Sequence, residues 1–427
     1  MLEGGAVPLL DGADLSAAGL GERVNDAAWW DIGRGGVRLA QRNFSGASLK
    51  RADFSHADLS GADLSGVSGG GITLSHATLE EARLIGADLI GGVLRGVDAG
   101  EADFTDALLE DADLAGARLR FAHFGNAVMD GANLAGADLW GARLQGAEAE
   151  RACFKAARLD EAQLQKALLA QADLTGATLR RAHLQGAVLR GAVLRDAVLD
   201  GADLSGADLT GAVLPHVSLS SCVLTHIRVA GAWMERTRLS AHQLGGAIGE
   251  EVAGEFEAAR EGYIVLEQNF RTLGSGDDER WAFLRRRRMG KRLHRARAMA
   301  AWQGRTPAAA VTLTLRWAGD VMSEWVCDYG ESLNRVFRAF LVVLLGFAAV
   351  YWLTGSLVPR PGAASGVRFE AVDYLLFSLD SMTTVGTGEV GLRPGSQLGV
   401  LLSSLQTVVG TVLLGLFGFV LGVRMRN

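Results

Sequence analysis

A period of five residues governs the first half of the chain. From Phe44 to Leu244, every fifth position can be aligned without an insertion, and 35 of these 41 positions carry Leu or Phe. The residue two positions earlier is Ala in 31 of 41 cases. An α-helix would spread leucines at this spacing over all of its faces, because each would advance by about 140° around the axis, and a strand needs a period of two. The pattern therefore predicts a backbone that turns a corner every five residues and points each Leu or Phe inward.

The repeating unit, as in GADLSGADLTGAVL, resembles the pentapeptide-repeat family over about residues 39–244. The resemblance implies a right-handed quadrilateral β-helix with four units in each coil, Leu or Phe along the axis, and Ala in the tight corner beside it. At about 4.8 Å between coils, about ten coils would form a rod about 50 Å long. We therefore predict a β-helix over residues 39–249 and an N-terminal cap over residues 1–38, whose Trp29 and Trp30 would cover the open coil end.

Some inward positions carry a small residue instead of Leu or Phe, as at Gly69 and Ala99. The stretch GVSGGGITL around the first of them is also rich in glycine. Because these residues add little or no side chain to the axis, we expect their coils to be thinner or locally distorted.

The charge of the repeat region narrows the functions that it can serve. Residues 1–249 carry 22 Lys and Arg against 31 Asp and Glu, a net charge of −9, whereas residues 250–427 carry 20 against 17, a net charge of +3. Some pentapeptide-repeat proteins mimic DNA with a negative rod, and this balance would permit it. Arg nevertheless often takes the same position before the inward Leu as Asp does. The mixed charge favours a rigid β-helix for spacing or for docking an unknown cytoplasmic partner.

The residue types that carry chemistry form no catalytic or metal-binding pattern. Cys153, Cys222 and Cys327 are widely spaced and odd in number, which fits neither a disulfide framework nor a zinc site. The eight His residues are scattered, and no nucleophile–base spacing recurs. We therefore expect neither an enzyme nor a cofactor.

Helical patterns follow the repeat over residues 250–332, which we predict to be a connector. Residues 250–274 place apolar side chains at steps of three and four residues, as an amphipathic helix does. The letters GSGDD then indicate a turn before a second helix over residues 279–302. Residues 314–338 have the pattern of an amphipathic helix at a membrane interface, given by Trp317, Met322 and Trp325.

The second connector helix carries a basic cluster: Arg285, Arg286, Arg287, Arg288, Lys291, Arg292, Arg295 and Arg297. Such a run occurs in nucleic-acid-binding segments. Because this one precedes a membrane span, anionic lipid headgroups could also attract it, at about 1 kcal/mol per basic residue, as could the acidic rod or a neighbouring subunit. We favour lipid or intersubunit contact and expect no nucleic acid.

Two uncharged segments, residues 339–358 and 396–423, are each long enough to cross a bilayer, which needs about 20 residues. Arginines flank them on their outer sides in the chain, at Arg335, Arg338, Arg424 and Arg426. The positive-inside rule then places both termini in the cytoplasm. The N-terminus also lacks the pattern of a secretory signal peptide. We expect a two-span protein of a bacterial-type inner (plasma) membrane, with the repeat in the cytoplasm.

The loop between the two spans contains an irregular segment. Phe369 to Thr383 could form a helix too short to cross a bilayer, after which Gly386 and Gly388 indicate irregular backbone. Irregular backbone at membrane depth is tolerated where it lines a water-filled path, and rings of backbone carbonyls can replace the hydration shell of an ion. The segment therefore indicates a re-entrant pore loop.

Together with both spans, this loop is similar to the two-transmembrane cation channels related to potassium channels, whose filter reads T-V-G-Y-G. The resemblance covers about residues 335–424 and implies a homotetramer, because the family builds its carbonyl rings from four copies. It implies a pore domain over residues 333–427, with permeant K⁺ or Na⁺ as the only bound ions. The implied filter and ion-binding residues are Thr383, Thr384, Val385, Gly386, Thr387 and Gly388.

Departures from the family pattern leave ion selectivity open. Thr387 stands where the family has a Tyr that braces the filter, and Leu376 and Phe377 stand at the bracing positions of the pore helix. Potassium preference is the favoured interpretation, and non-selective monovalent conduction is the alternative. Asp380 and Glu389 are candidate filter supports. Their carboxyl groups could share a proton, because two close carboxylates do not readily both ionise, or Asp380 could bind nearby backbone amides.

The second span contains the candidate gating residues. Gly410 and Gly415 are hinge candidates, and Phe417 and Phe419 are candidates for a hydrophobic constriction. The sequence thus predicts a tetrameric cation channel with a cytoplasmic pentapeptide-repeat domain for assembly, docking or gating. A non-conducting scaffold anchored by the same two spans is the second hypothesis. The two spans argue against a third, a soluble DNA mimic.

Overall fold

The computed structural model describes residues 39–304, 306–360, 370–383 and 392–426. The chain divides into two compact units, Met1–Met289 and Gly290–Asn427. The N-terminal cap predicted for residues 1–38, with Trp29 and Trp30, lies outside the described residues.

Each coil of the first unit contains 20 residues. Parallel bridges connect a residue with the one 20 positions later, beginning at Asn43 and ending at Arg238. Within a coil the chain turns after every fifth residue, so that each coil has four sides. Backbone hydrogen bonds join successive coils, for example from Leu59 N–H to Thr78 O at 2.7 Å. The predicted four-sided β-helix is therefore confirmed over the repeat.

The axis of the β-helix is filled as the sequence predicts. The aligned Leu and Phe side chains, and the Ala side chains two positions earlier, are buried at nearly every coil. Phe104 and Phe124, on successive coils, stack with their ring centroids 4.8 Å apart and their planes at 3°. Because apolar burial contributes about 25 cal/mol per Å², this continuous core is the main source of free energy that holds the coils together.

Gly69 and Ala99 do not distort the backbone of their coils, so the prediction of local distortion was wrong. Gly69 N–H donates to Asp88 O at 2.7 Å and Ala99 N–H to Arg118 O at 2.8 Å, as in the regular coils. A Cβ on Gly69 would lie only 3.3 Å from Leu89 Cδ2. A neighbouring leucine therefore fills the axis at this point, and the backbone keeps its register.

Helices close the first unit. They are α1 (Gly249–Val252), α2 (Phe256–Leu273) and α3 (Gly276–Gln303), the last of which continues past the boundary between the units. The single helix predicted over residues 250–274 is broken, because Gly254 adopts a left-handed backbone (φ 76°) of the kind that ends helices. Tyr263 and Phe270 of α2 are fully buried and extend the core of the β-helix.

The second unit is mainly helical. After the end of α3 come α4 (Pro307–Cys327), α5 (Leu333–Thr354), β1 (Leu357–Pro359), α6 (Ala371–Thr383), β2 (Leu392–Pro394) and α7 (Gln397–Arg426). β1 pairs antiparallel with β2, with Leu357 opposite Pro394. Two of these helices are long and apolar enough to span a membrane, over Leu333–Thr354 and Gln397–Gly422.

Two predicted helix boundaries differ from the structure. The helix predicted over residues 314–338 ends at Cys327, because Asp328 and Tyr329 have left-handed backbones with φ of 49° and 60°. The span predicted over residues 339–358 corresponds to α5, which begins earlier and stops before β1. The predicted span included residues of β1 because they are apolar. In the structure, however, the backbone of these residues pairs with β2.

Candidate functional site

A short helix, α6, lies between the two candidate spans. It packs against both α5 and α7, which also contact each other. Its 13 residues give a length of about 20 Å, less than the ~30 Å hydrocarbon core of a bilayer. The short helix expected from the sequence is thus present, from Ala371 to Thr383. The next candidate residues lie outside the described residues: Thr384, Val385, Gly386, Thr387, Gly388 and Glu389.

A buried polar network joins the three helices. The Gln406 side chain of α7 is fully buried, and its Oε1 accepts a hydrogen bond from the Tyr351 hydroxyl of α5 at 2.9 Å. Its Nε2 donates to Ser378 O at 2.9 Å and to Ser378 Oγ at 2.5 Å. Ser378 Oγ in turn donates to Leu344 O of α5 at 2.8 Å. Each side-chain group of the network has a partner, as buried polar groups require.

α7 also approaches the last turn of α6 closely. Thr407 Oγ1 lies 2.9 Å from Ser381 O, a distance at which its hydroxyl can donate. A Cβ on Gly410 would lie 2.3 Å from Met382 O, so a larger residue would force the two helices apart. Gly410 therefore permits close packing here, and its role as a hinge stays a prediction.

Phe377 of α6 faces the first candidate span. Its ring meets Tyr351 edge-on, with centroids 5.3 Å apart and planes at 88°. Both residues belong to a small core with Leu357 of β1 and Leu392 of β2. The adjacent Leu376 points away from this core and is exposed in the single chain. The core fixes α6 against α5 and the two-stranded sheet.

The two candidate site residues near the end of α6 are partly exposed, Asp380 and Thr383. Thr383 Oγ1 donates to Leu379 O, one helical turn earlier, at 2.9 Å. The expected partner of Asp380, Glu389, lies outside the described residues. A proton shared by these two carboxyl groups, and the alternative of backbone contacts by Asp380, both stay predictions.

One face of α7 carries an apolar stripe. The exposed α7 stripe, as we name it, consists of residues that are each more than half exposed: Leu401, Leu405, Val408, Val412 and Phe419. They recur at steps of four and three residues, and Gly415 occupies the one remaining position of this pattern. Residues at such steps share one helix face. Gln406 and Gly410 lie on the other side of the helix, against α6.

The two constriction candidates lie on different faces of α7. Phe417 lines a groove of about 190 Å³ between α5 and α7, together with Val336, Phe337, Phe340, Leu413 and Leu414. Residues two positions apart in a helix are separated by about 200° around its axis. Phe417 and Phe419 therefore cannot both line a constriction from one face, and Phe419 is the one on the exposed α7 stripe.

Part of the basic cluster of α3 is paired within the chain. The pairs are Arg285–Glu251 at 3.1 Å, Arg286–Glu267 at 2.8 Å, and Lys291–Glu324. Arg287 and Arg292 are exposed. These ion pairs give Arg285, Arg286 and Lys291 a structural role. Lipid or intersubunit contact by the cluster stays a prediction.

Arginines at the start of α5 hold the end of α4. Arg335 Nη1 donates to Glu324 O at 2.7 Å and pairs with Asp328 at 3.3 Å. Arg338 donates to Trp325 O at 3.2 Å, and its guanidinium lies 5.8 Å from the centre of the Trp325 ring. Cations stabilise the negative end of a helix dipole. These two residues, which the sequence suggested only as topology signals, therefore fix the junction between α4 and α5.

The sequence pattern did not indicate Gln406, Ser378 and Tyr351 as site residues. The available signal was the amide of Gln406 in the middle of an uncharged apolar segment, because polar side chains in such segments usually face a partner. Ser378 and Tyr351 gave no comparable signal. In the described ranges 39–304, 306–360, 370–383 and 392–426, no group of three or more His, Cys, Asp or Glu residues could hold a metal ion.

The repeat region of the chain matches a known protein family and several solved structures. The family described as Pentapeptide repeats matches in overlapping copies that include residues 35–68, 72–111, 112–148, 157–196, 179–214, 187–225 and 202–240. HetL, a pentapeptide repeat protein involved in heterocyst differentiation regulation from the cyanobacterium Nostoc, is 33% identical over 48% of this chain and 84% of its own, with a TM-score of 0.30. Through residues 35–240 the chain belongs to the pentapeptide-repeat family.

Two further solved structures are similar to this chain. Trypsin-treated QnrB1, a plasmid-mediated fluoroquinolone resistance protein, is 18% identical over 43% of this chain and 98% of its own, with a TM-score of 0.30. Rfr23, a pentapeptide repeat protein from the cyanobacterium Cyanothece, is 26% identical over 29% of this chain and 89% of its own, with a TM-score of 0.17. A comparison with curated proteins found no match. The matches are to non-enzymatic proteins, as the sequence predicts.

In the pentapeptide-repeat domain, the recurrent Asp before the inward Leu closes a turn. Its Oδ1 accepts the backbone N–H of the residue two positions later, as between Ser55 and Asp53 at 2.9 Å and between Thr210 and Asp208 at 3.0 Å. The Ser or Thr hydroxyl donates to the same oxygen. Such local hydrogen bonds favour Asp in turns. The recurrence of Asp thus has a structural reason that requires no mimicry of DNA.

Polar side chains close the C-terminal edge of the pentapeptide-repeat domain. Backbone N–H groups on each coil donate to the following coil, and the last coil has no such neighbour. Glu250 Oε1 accepts hydrogen bonds from Val229 N–H at 2.7 Å and Ala230 N–H at 2.8 Å. Asn269 of α2 exchanges two hydrogen bonds with the backbone of Thr237, at 3.0 and 2.8 Å. This edge is therefore unavailable for pairing with another strand.

Proposed function

We propose that this chain is one subunit of a homotetrameric cation channel that prefers K⁺ and conducts through the segment from Thr384 to Gly388. α5 and α7 would cross the plasma membrane of a bacterial-type cell, with both termini in the cytoplasm. The pentapeptide-repeat domain would then serve assembly, gating, or docking of a cytoplasmic partner. Membrane lipid would contact α5 and α7, and the exposed arginines of α3 would meet lipid headgroups or a neighbouring subunit.

The observation that carries this proposal is the arrangement of α6. A helix too short to cross a bilayer packs on two helices that are long enough, and it ends one residue before Thr384. The C-terminus of a helix carries a partial negative charge, which favours a cation beyond it. A scaffold that needs only two anchoring spans has no use for a packed helix that leads into a Thr-Val-Gly-Thr-Gly loop.

The exposed α7 stripe supports the homotetramer. Its spacing of four and three residues is the pattern of helices that pack against further copies of themselves, and its side chains remain uncovered in a single chain. Four copies of α7 would bring Phe419 together near the cytoplasmic end as a hydrophobic constriction, and channels use such constrictions as gates by dewetting.

Ion flux from purified protein in liposomes tests the proposal. We expect K⁺ flux that exceeds Na⁺ flux, and loss of both in Gly386→Asp, because a carboxylate side chain at that position would disrupt the carbonyl ring. Gly346→Ala, on the exposed side of α5, is the matched control and should conduct as the wild type does. Equal K⁺ and Na⁺ flux would support non-selective conduction instead. A membrane-inserted tetramer without ion flux would contradict the channel proposal and support the non-conducting scaffold.

A further inference from the structure

The amide of Gln406 is oriented by its surroundings. Reversing it would place its oxygen against Ser378 O, so that two acceptors would face each other, whereas the observed orientation lets Nε2 donate there at 2.9 Å. The Tyr351 hydroxyl can then donate to Oε1 at 2.9 Å. The network has a single consistent direction of donation, from α5 through α7 to α6 and back to the backbone of α5.

Contacts between α7 and α6 occur at three positions in the C-terminal half of α6. Gln406 binds Ser378, Thr407 lies within hydrogen-bonding distance of Ser381 O, and Gly410 packs against the Met382 backbone. Apolar packing alone resists rotation of a helix weakly, because the hydrophobic effect is non-directional. The hydrogen bonds from Gln406 to the carbonyl and the hydroxyl of Ser378 fix the rotation of α6 about its own axis and its position along α7.

We propose that Gln406 is a positioning residue for the candidate filter: it holds α6 through Ser378 and Tyr351, so that the segment after Thr383 begins at a fixed place. This inference rests on the proposed function. A site that recognises ions by geometry needs its supporting residues to hold it within about 0.5 Å. α6 is the only described element that connects directly to the start of this segment.

The test compares Gln406→Leu with Ser403→Ala in the full-length protein in liposomes. Gln406→Leu introduces an apolar side chain of similar size and removes both hydrogen bonds to Ser378 and the one from the Tyr351 hydroxyl. Loss of the residues that support the ligands of an ion site typically changes affinity or activity by about 10–100-fold, so we expect the ratio of K⁺ to Na⁺ flux to fall by about tenfold. The Ser403 hydroxyl donates to Val400 O of its own helix at 3.0 Å and not, among the described residues, to α6, so its variant should keep the ratio.

Gln406→Glu adds a second measurement, the pH dependence of the K⁺ to Na⁺ flux ratio, which a purely structural role of Gln406 would not change. A protonated carboxyl can donate to Ser378 O, whereas a carboxylate cannot. We therefore expect this variant to regain the wild-type flux ratio as the pH is lowered and to lose it as the pH is raised, with the wild type measured in parallel. A flux ratio that stays at the wild-type value in Gln406→Leu and does not vary with pH in Gln406→Glu would overturn the assignment.

Hydrogen exchange separates this inference from the proposed function. In Gln406→Leu, the amides at the end of α6 up to Thr383 should exchange faster than in the wild type, while the oligomer persists. If Gln406→Leu does not assemble, Tyr351→Phe, which removes one donor and changes little volume, gives the same comparison. Wild-type protein without ion flux would end the channel proposal. Unchanged exchange in α6 of a conducting protein would overturn only the role of Gln406.

Discussion

Glu250 is a fully buried carboxyl group at the end of the β-helix. Burial raises its pKa above the ordinary value of 4.5, although hydrogen bonds from Ala230 and Val229 and the charge of Arg228 act in the opposite direction. The folded state therefore favours the protonated form. The resulting contribution to stability is fully present below about pH 4.5 and is lost as the pH rises through the raised pKa.

Substitution of Glu250 separates its hydrogen bonds from its charge. Glu250→Gln keeps an acceptor oxygen and removes the charge, so protection of the Val229 and Ala230 amides at neutral pH should equal or exceed that of the wild type. Glu250→Ala leaves both N–H groups unpaired and should lower the free energy of local opening by about 2 kcal/mol or more. Hydrogen exchange on the intact protein measures both variants. Wild-type protection in Glu250→Ala would show that this residue does not close the edge.

Asp208 shows the opposite shift in pKa. Burial alone would raise its pKa, but hydrogen bonds from Thr210 and Arg190 together outweigh burial and hold the pKa below the ordinary value of 3.8. Its contribution to stability is therefore present above about pH 3.8 and is lost as the pH falls through the lowered pKa. Arg190 Nε lies 2.6 Å from Asp208 Oδ2, which adds a charged partner to the turn.

We expect Asp208→Ala to destabilise the β-helix by about 2 kcal/mol at pH 7, because a hydrogen bond to a charged group contributes more than a neutral one. The effect should shrink at pH 2, where the wild-type carboxylate is protonated as well. The urea concentration at which the β-helix unfolds measures it. Asp58→Ala removes the same kind of turn, to Ser60 at 3.1 Å, at a less buried position and should cost less. A difference that persists undiminished in acid contradicts this account.

At the scale of the helices, Gly410 decides how closely α7 approaches α6. Gly410→Ala places a methyl group 2.3 Å from Met382 O, so the helices must separate, and overpacking of this kind costs about 1–3 kcal/mol. We expect a lower midpoint of thermal unfolding in detergent, followed by tryptophan fluorescence. Gly418→Ala, for which no described residue outside its own helix approaches a built Cβ within 4 Å, should leave the midpoint unchanged. Equal midpoints for the two variants would exclude the close-packing role.

The helices of the second unit could be predicted from the sequence more readily than their contacts could. Long apolar runs predict α5 and α7, and a short amphiphilic run predicts α6. The end of α4 at Cys327 could not be predicted, because left-handed backbone at Asp328 and Tyr329 is unusual for residues other than glycine. The partners of Gln406 could not be predicted either, since the face that α7 turns towards α6 depends on the packing of all three helices.

At the scale of the whole molecule, the two units differ in how far their sequence determines them. In the pentapeptide-repeat domain every coil repeats one local environment, so a five-residue pattern predicts the core from Phe44 to Leu244 nearly residue by residue. Even Gly69 departs from the pattern without consequence for the backbone, because Leu89 fills its space. The second unit has no repeat, and whether lipid or further copies of the chain cover its exposed α7 stripe depends on the surroundings of the helix and not on its own sequence pattern.

The homotetramer can be tested at Gly415, in the one position of the exposed α7 stripe that lacks a side chain. In a bilayer, lipid solvates apolar side chains as well as another helix does, so association depends on close packing at small residues. Gly415→Leu should therefore shift the protein from tetramer towards monomer, measured by mass spectrometry from detergent or nanodiscs. Within the described residues, no atom beyond its own helix lies within 4 Å of a Cβ built at Gly415 or at Gly346 of α5. Gly346→Leu, with the same change in hydropathy, is thus the matched control and should remain tetrameric. If both variants keep the same oligomeric state, the stripe is not the surface through which copies of α7 meet.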